Sequence, residues 1–157
     1  MSLLQAADMV ELAMGLEQSG QVFYRAVAAK SSVPQIQALF SDLADQEKLH
    51  YAAFAKLAEA VRNKPLMLPE EWDQYQDYLQ ATVQSAFFEG PDKALAAADR
   101  VHDEREALGM AMSFEKETML FFHDLRDMAS PTDQEVITRI IQEEKRHLRR
   151  LAGLLRP

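Results

Sequence analysis

Two tetrapeptides decide the reading of this chain: Glu47-Lys48-Leu49-His50 and Glu144-Lys145-Arg146-His147. On a helix, the three-residue spacing sets carboxylate and imidazole one turn apart on the same face, so both can enter one cavity. The match extends outward from each tetrapeptide. Met14-Gly15-Leu16-Glu17 with Phe23-Tyr24 is answered by Met112-Ser113-Phe114-Glu115 with Phe121-Phe122. Each half of the chain thus holds a helix with a lone Glu followed by a helix with Glu-x-x-His.

The punctuation agrees with helices throughout. Residues 3–30, 92–130 and 132–156 contain no proline, and residues 35–64 contain neither glycine nor proline. Alanine, leucine, glutamate and glutamine, all good helix formers, dominate these stretches. The connectors Ser31-Ser32-Val33-Pro34 and Ala129-Ser130-Pro131-Thr132 each offer a serine cap before a proline that starts a helix. No alternating pattern long enough for a strand is present. The expected fold class is all-α.

Apolar residues recur at helical spacing in four stripes. They are Val10, Met14, Tyr24 and Val27; Ile36, Leu39, Leu43, Phe54, Leu57 and Val61; Leu108, Ala111, Met112, Met119, Phe122 and Leu125; and Val136, Ile140, Leu151 and Leu154. Glu17, Glu47 with His50, Glu115, and Glu144 with His147 interrupt the middles of these stripes. A lone charge in a core costs several kcal/mol unless it is paired or metal-bound. Four converging carboxylates without a cation would repel and take up protons. Two divalent ions would cancel four carboxylates and leave the imidazoles as neutral ligands, so a two-metal site is expected.

Hairpin geometry tests this independently. In an antiparallel pair, residues equally far from the turn share a height. Glu17 and Glu47 lie symmetrically about residue 32, and Glu115 and Glu144 about the Ala129–Thr132 connector. Each is roughly 22 Å from its turn, near mid-helix. The expected organisation is a single domain over 1–157, with hairpins at about 3–62 and 103–155 joined by a crossover at about 63–102. Pro65 and Pro69 should end the second helix. Trp72, Tyr75, Leu79, Val83 and Phe87 suggest a crossover helix ended by Gly90-Pro91, whose aromatics cover the side of the bundle or, alternatively, form a subunit interface. A connection that long can run the length of a bundle and make the second and third long helices parallel.

Composition bounds the rest. With 157 residues, 48% hydrophobic and 27% charged, the chain has the makings of one folded domain. It contains no cysteine, which excludes disulfides, thiolate metal sites and thiol catalysis. The formal charge of −8 argues against nucleic acid as a partner. Met1 to Gly15 carries Asp8 and Glu11 and no basic run, so a signal peptide is not expected, nor is a membrane span. A cytoplasmic protein is the expectation. His102 and His123 lack a matching Glu and read as surface groups. Gly20 and Thr118, each one turn beyond a lone Glu, either let helices approach or leave space for a small oxidant.

At these motifs the chain resembles the ferritin-like di-iron carboxylate superfamily, and within it rubrerythrins lacking a rubredoxin domain. The resemblance covers about residues 5–60 and 103–155 and implies a ferritin-like four-helix bundle with a long crossover between its second and third helices. It implies that Glu17, Glu47, His50, Glu115, Glu144 and His147 ligate two iron ions, with Glu47 and Glu144 bridging and Tyr24 beside the ligands. Manganese or zinc suits the same donors. The chain departs from rubrerythrins at Thr118, where a further Glu is expected. It also has Lys48 where a bacterioferritin would have its haem methionine, so no haem is expected.

The resemblance further implies a redox enzyme, a non-haem di-iron peroxidase or oxidoreductase that reduces hydrogen peroxide or dioxygen. It would act as a homodimer, fed by an external electron-donor protein. Two alternatives stay open: a ferroxidase for iron storage or delivery, and a non-catalytic metal-binding bundle.

Overall fold

Helix formers produce helices wherever the chain is described. The computed structural model describes residues 6–62, 72–84 and 90–156, and among them there are six helices and no strand. They are α1 (Ala6–Lys30), α2 (Pro34–Val61), α3 (Trp72–Gln84), α4 (Pro91–Asp99), α5 (Glu104–Met128) and α6 (Pro131–Leu155). Four of them, α1, α2, α5 and α6, have 25, 28, 25 and 25 residues and form the bundle.

Contacts between named residues give the directions. Helices α1 and α2 pack as one hairpin and α5 and α6 as the other; α1 also meets α5, and α2 meets α6. At the end of α1, Ser31 Oγ donates to Glu104 Oε1 (3.4 Å) and Lys30 Nζ to the Val101 carbonyl (2.6 Å), so α1 finishes where α5 begins. Arg150 pairs with Asp42 at 2.5 Å, and Glu143 meets His50 at 2.5 Å, so α6 runs against α2. It follows that α2 and α5 are parallel, as a full-length crossover requires.

The crossover contains two described helices rather than one. Leu79 of α3 is fully buried, and α3 packs on α5. Gly90-Pro91 starts a helix: Gly90 has φ of 92°, a region that favours glycine, and Pro91 takes the first position of α4, while the helix end expected just before it lies outside the described residues. Helix α4 lies against α1. Lys30 Nζ donates to the carbonyls of Ala98, Asp99 and Val101, satisfying the exposed carbonyl end of α4. Pro65, Pro69 and Phe87 lie outside the described residues, as do the side chains of Trp72, Tyr75 and Val83.

Helix starts are capped unequally. Ser130 Oγ accepts from Asp133 N at the start of α6, as expected, and Asp103 Oδ1 accepts from Glu106 N (2.7 Å) at the start of α5. The first connector differs, because Val33 occupies the cap position of α2 without a side-chain bond. Ser31 Oγ instead accepts from Val33 N and ties the turn to Glu104.

The stripes form one core, but their edges are shifted from the expected ones. Met14, Met112, Met119, Val136 and Leu154 are half-buried, whereas Ala13, Leu16, Phe114, Phe121, Ile137 and Ile141 are buried. Met14 and Met112 pack half-buried against this core, and the clustered ionisable residues are buried within it.

Candidate metal centre

Mid-helix placement brings the six expected side chains into one cluster. Glu17, Glu47, Glu115 and Glu144 are each 0% exposed, His50 is 2% and His147 is 3%. One comes from α1, two from α2, one from α5 and two from α6. Glu144 lies at the centre: His50 Nδ1 is 2.8 Å from its Oε1, and His147 Nδ1 is 2.9 Å from its Oε2. His50 Nδ1 is also 3.6 Å from Glu17, and His147 Nδ1 is 3.5 Å from both Glu47 and Glu115. The two imidazoles stack with centroids 5.7 Å apart.

The donor atoms resolve into two overlapping quartets. Glu17, Glu47, His50 and Glu144 form one, and Glu47, Glu115, Glu144 and His147 form the other, with donor atoms within 4.8 Å of one another in each. Glu47 and Glu144 belong to both. Each quartet offers three carboxylates and one imidazole, a hard O/N set suited to iron or manganese.

The chemistry of the cluster fits a pair of cations. Both oxygens of Glu17, both of Glu47 and Oε2 of Glu115 are buried without a hydrogen-bond partner among the described residues. Such atoms are costly to leave unpaired. In the metal-free chain they respond as buried acids do. Burial, reinforced by the charge of Glu144, raises Glu17 and Glu47 well above the usual carboxylate range and Glu115 to about 8. Burial also pushes Glu144 upward, but the facing Glu115 and the bonded His147 and His50 outweigh it and hold this carboxyl well below the ordinary value. Burial would lower the imidazoles, yet the facing carboxylates lift His50 to about 10 and His147 to about 12. Protons thus take the place that divalent cations would fill.

Around this cluster, Tyr24 is fully buried and its hydroxyl donates to Glu115 Oε1 at 2.5 Å. Thr118 is 1% exposed and its hydroxyl has no partner among the described residues. Gly20 is required by packing, since a Cβ there would stand 2.8 Å from Phe114 Cε1 and 3.0 Å from Glu47 Oε2. One participant escaped the sequence reading: Glu143, whose Oε2 is 2.5 Å from His50 Nε2. Its only signal was adjacency to Glu144. His102 is exposed and His123 half-buried, and neither joins the site.

A family model for rubrerythrin matches residues 8–155. The chain belongs to the rubrerythrin family. It is also similar to a crystal structure from Thermotoga maritima assigned as a ferritin-like diiron-carboxylate protein. The identity is 28%, the TM-score is 0.70, and the match covers 99% of this chain and 97% of that one. No curated protein matches the chain. For this rubrerythrin-family chain the ferritin-like helical bundle is therefore the fold, and the six clustered residues are arranged so that they could hold metal ions. Among the described residues no helix is long and apolar enough to cross a membrane.

Proposed function

We propose that this rubrerythrin-type domain holds two iron ions and reduces hydrogen peroxide, taking electrons from a separate donor protein. The observation that carries the reading is the pair of donor quartets sharing Glu47 and Glu144, with five buried carboxylate oxygens left for cations. When bound, a ferrous pair supplies the two electrons needed to cleave a peroxide O–O bond to water. The chain's own residues frame that chemistry. Glu47 and Glu144, common to both quartets, would serve both ions, Glu17 with His50 and Glu115 with His147 would each complete one position, and Tyr24 fixes the Glu115 carboxylate through its hydroxyl. Phe114, fully buried beside Gly20 and Glu47, helps exclude bulk water. The reading includes a cytoplasmic homodimer, with neither nucleic acid nor membrane as a partner. Manganese or zinc are the competing occupants, and haem has no role.

One residue favours a second reading. Thr118 stands buried where the rubrerythrin resemblance expects a carboxylate, and a site with six ligands is equally what a ferroxidase centre of an iron-storage protein needs. Anaerobic stopped-flow mixing of the diferrous protein with peroxide and with dioxygen separates the two. Faster oxidation by peroxide, in a protein of dimer size, is expected. Equal rates in a cage-sized oligomer would transfer the assignment to iron storage.

A further inference from the structure

The two halves of the centre share their ligands but not their surroundings. Glu143, half-buried in α6, places Oε2 2.5 Å from His50 Nε2 while Oε1 lies 3.6 Å from Arg146. The repeat puts Gln46 where a matching carboxylate for His147 would stand. Among the described residues, none bonds to His147 Nε2. Tyr24 breaks the symmetry again. Its hydroxyl engages Glu115 Oε1 at 2.5 Å, whereas the repeat sets Phe122, with no hydroxyl, opposite Glu17. Both oxygens of Glu17 are accordingly without a partner among the described residues.

We infer that the two metal positions are unequal, the one framed by Glu17 and His50 binding a divalent cation more tightly than the one framed by Glu115 and His147. The inference rests on the two-metal reading above. A carboxylate behind an imidazole fixes the ring with Nδ1 toward the cation and makes that nitrogen a stronger donor. A hydroxyl donating to a carboxylate orients that ligand but draws charge from it, so its two effects oppose. Glu143 strengthens the first position, while the opposed effects of Tyr24 give the second no comparable gain. The bridging residues Glu47 and Glu144 serve both positions and cancel. Glu143 is a positioning residue acting through His50. The Glu115–His147 position is then the one that empties and refills first.

Zn(II) is the probe, titrated into the full chain at neutral pH against a chromophoric chelator. His147→Ala leaves the first position whole and His50→Ala the second, which compares them without repulsion from another cation. The His147→Ala chain should bind Zn(II) about tenfold or more tightly than the His50→Ala chain. Adding Glu143→Gln to His147→Ala should remove about tenfold, and adding Tyr24→Phe to His50→Ala should change binding by much less. In chains with both histidines intact, Glu143→Ala alone should weaken the tight step and spare the weak one; this arm needs neither histidine variant to fold. Equal affinities of the two histidine variants, or the reverse order, would overturn the inference. So would a Glu143→Ala chain in which both steps fall together with thermal stability, since that marks a merely structural role. A wild-type chain that binds no Zn(II) would instead defeat the two-metal reading itself, and that result is visible before any variant is made.

Discussion

Glu144 keeps its charge among four buried carboxylates because His50 and His147 bond to it and Glu115 faces it, and together they outweigh the cost of its burial. Glu47 has His147 Nδ1 no nearer than 3.5 Å, and both its oxygens lack hydrogen-bond partners among the described residues. The two bridging candidates therefore differ in the metal-free chain, and both should be indispensable once cations bind. Glu47→Ala and Glu144→Ala are each expected to reduce bound Fe(II) from about two ions per chain to one or none, read by metal analysis after anaerobic loading. Two ions retained at normal affinity in Glu47→Ala would remove it from the bridging role. Thr118→Glu supplies the carboxylate that the rubrerythrin resemblance expects, and should raise peroxide turnover in a steady-state assay with an artificial reductant. Unchanged turnover would show that Thr118 is not what limits the chemistry.

At the level of helices, close approach and capping make separable predictions. Gly20→Ala in α1 would drive a methyl group into Phe114 and Glu47, and should cost about 1–3 kcal/mol by overpacking. Gly15→Ala, on the same helix with nothing within 4 Å, should instead gain up to about 1 kcal/mol from helix propensity. Denaturant titration of both variants checks the pair; destabilisation of equal size would mean that the contact at Gly20 is not what separates the two positions. Ser130→Ala removes a side-chain cap from α6 and should cost about 1 kcal/mol, whereas Ser32→Ala, exposed and outside any cap, should be close to neutral.

For the whole molecule, the buried cluster gives stability opposite pH dependences with and without metal. In the metal-free fold Glu115 is raised from 4.5 to about 8, and His50 and His147 from 6.5 to about 10 and about 12. A group raised on folding contributes stability that is fully present below its unfolded value and lost as pH rises through the folded one. The metal-free chain should therefore melt lower at pH 8.5 than at pH 5.5, by a few degrees or more. Glu144 is shifted the other way, so its contribution is lost only as pH falls below the ordinary carboxylate range. Bound cations reverse the trend, because protons must leave for them to enter, and acid should strip metal and lower the melting temperature of the loaded form. Differential scanning calorimetry at the two pH values, with and without Zn(II), reads both signs. Parallel trends would mean that the cluster does not hold the cation.

Periodicity alone determined much of this protein. Four proline-free stretches, the repeat linking Glu47–His50 to Glu144–His147, and the symmetric distances of the Glu residues from their turns specify two antiparallel hairpins with carboxylates at mid-height. That succeeds because helix formation and facial placement are local properties, set by spacing along one chain. Tertiary structure alone decided what depends on neighbours from other helices. It turned Gly90-Pro91 into the start of α4, left α2 capped at Val33, and left Met14, Met112 and Met119 half-buried. It also brought Glu143 to His50 and Tyr24 to Glu115, contacts between residues 93 and 91 positions apart. No periodicity encodes such pairs, because they depend on how two helices rotate against each other. Those two contacts break the symmetry that the repeated sequence implied.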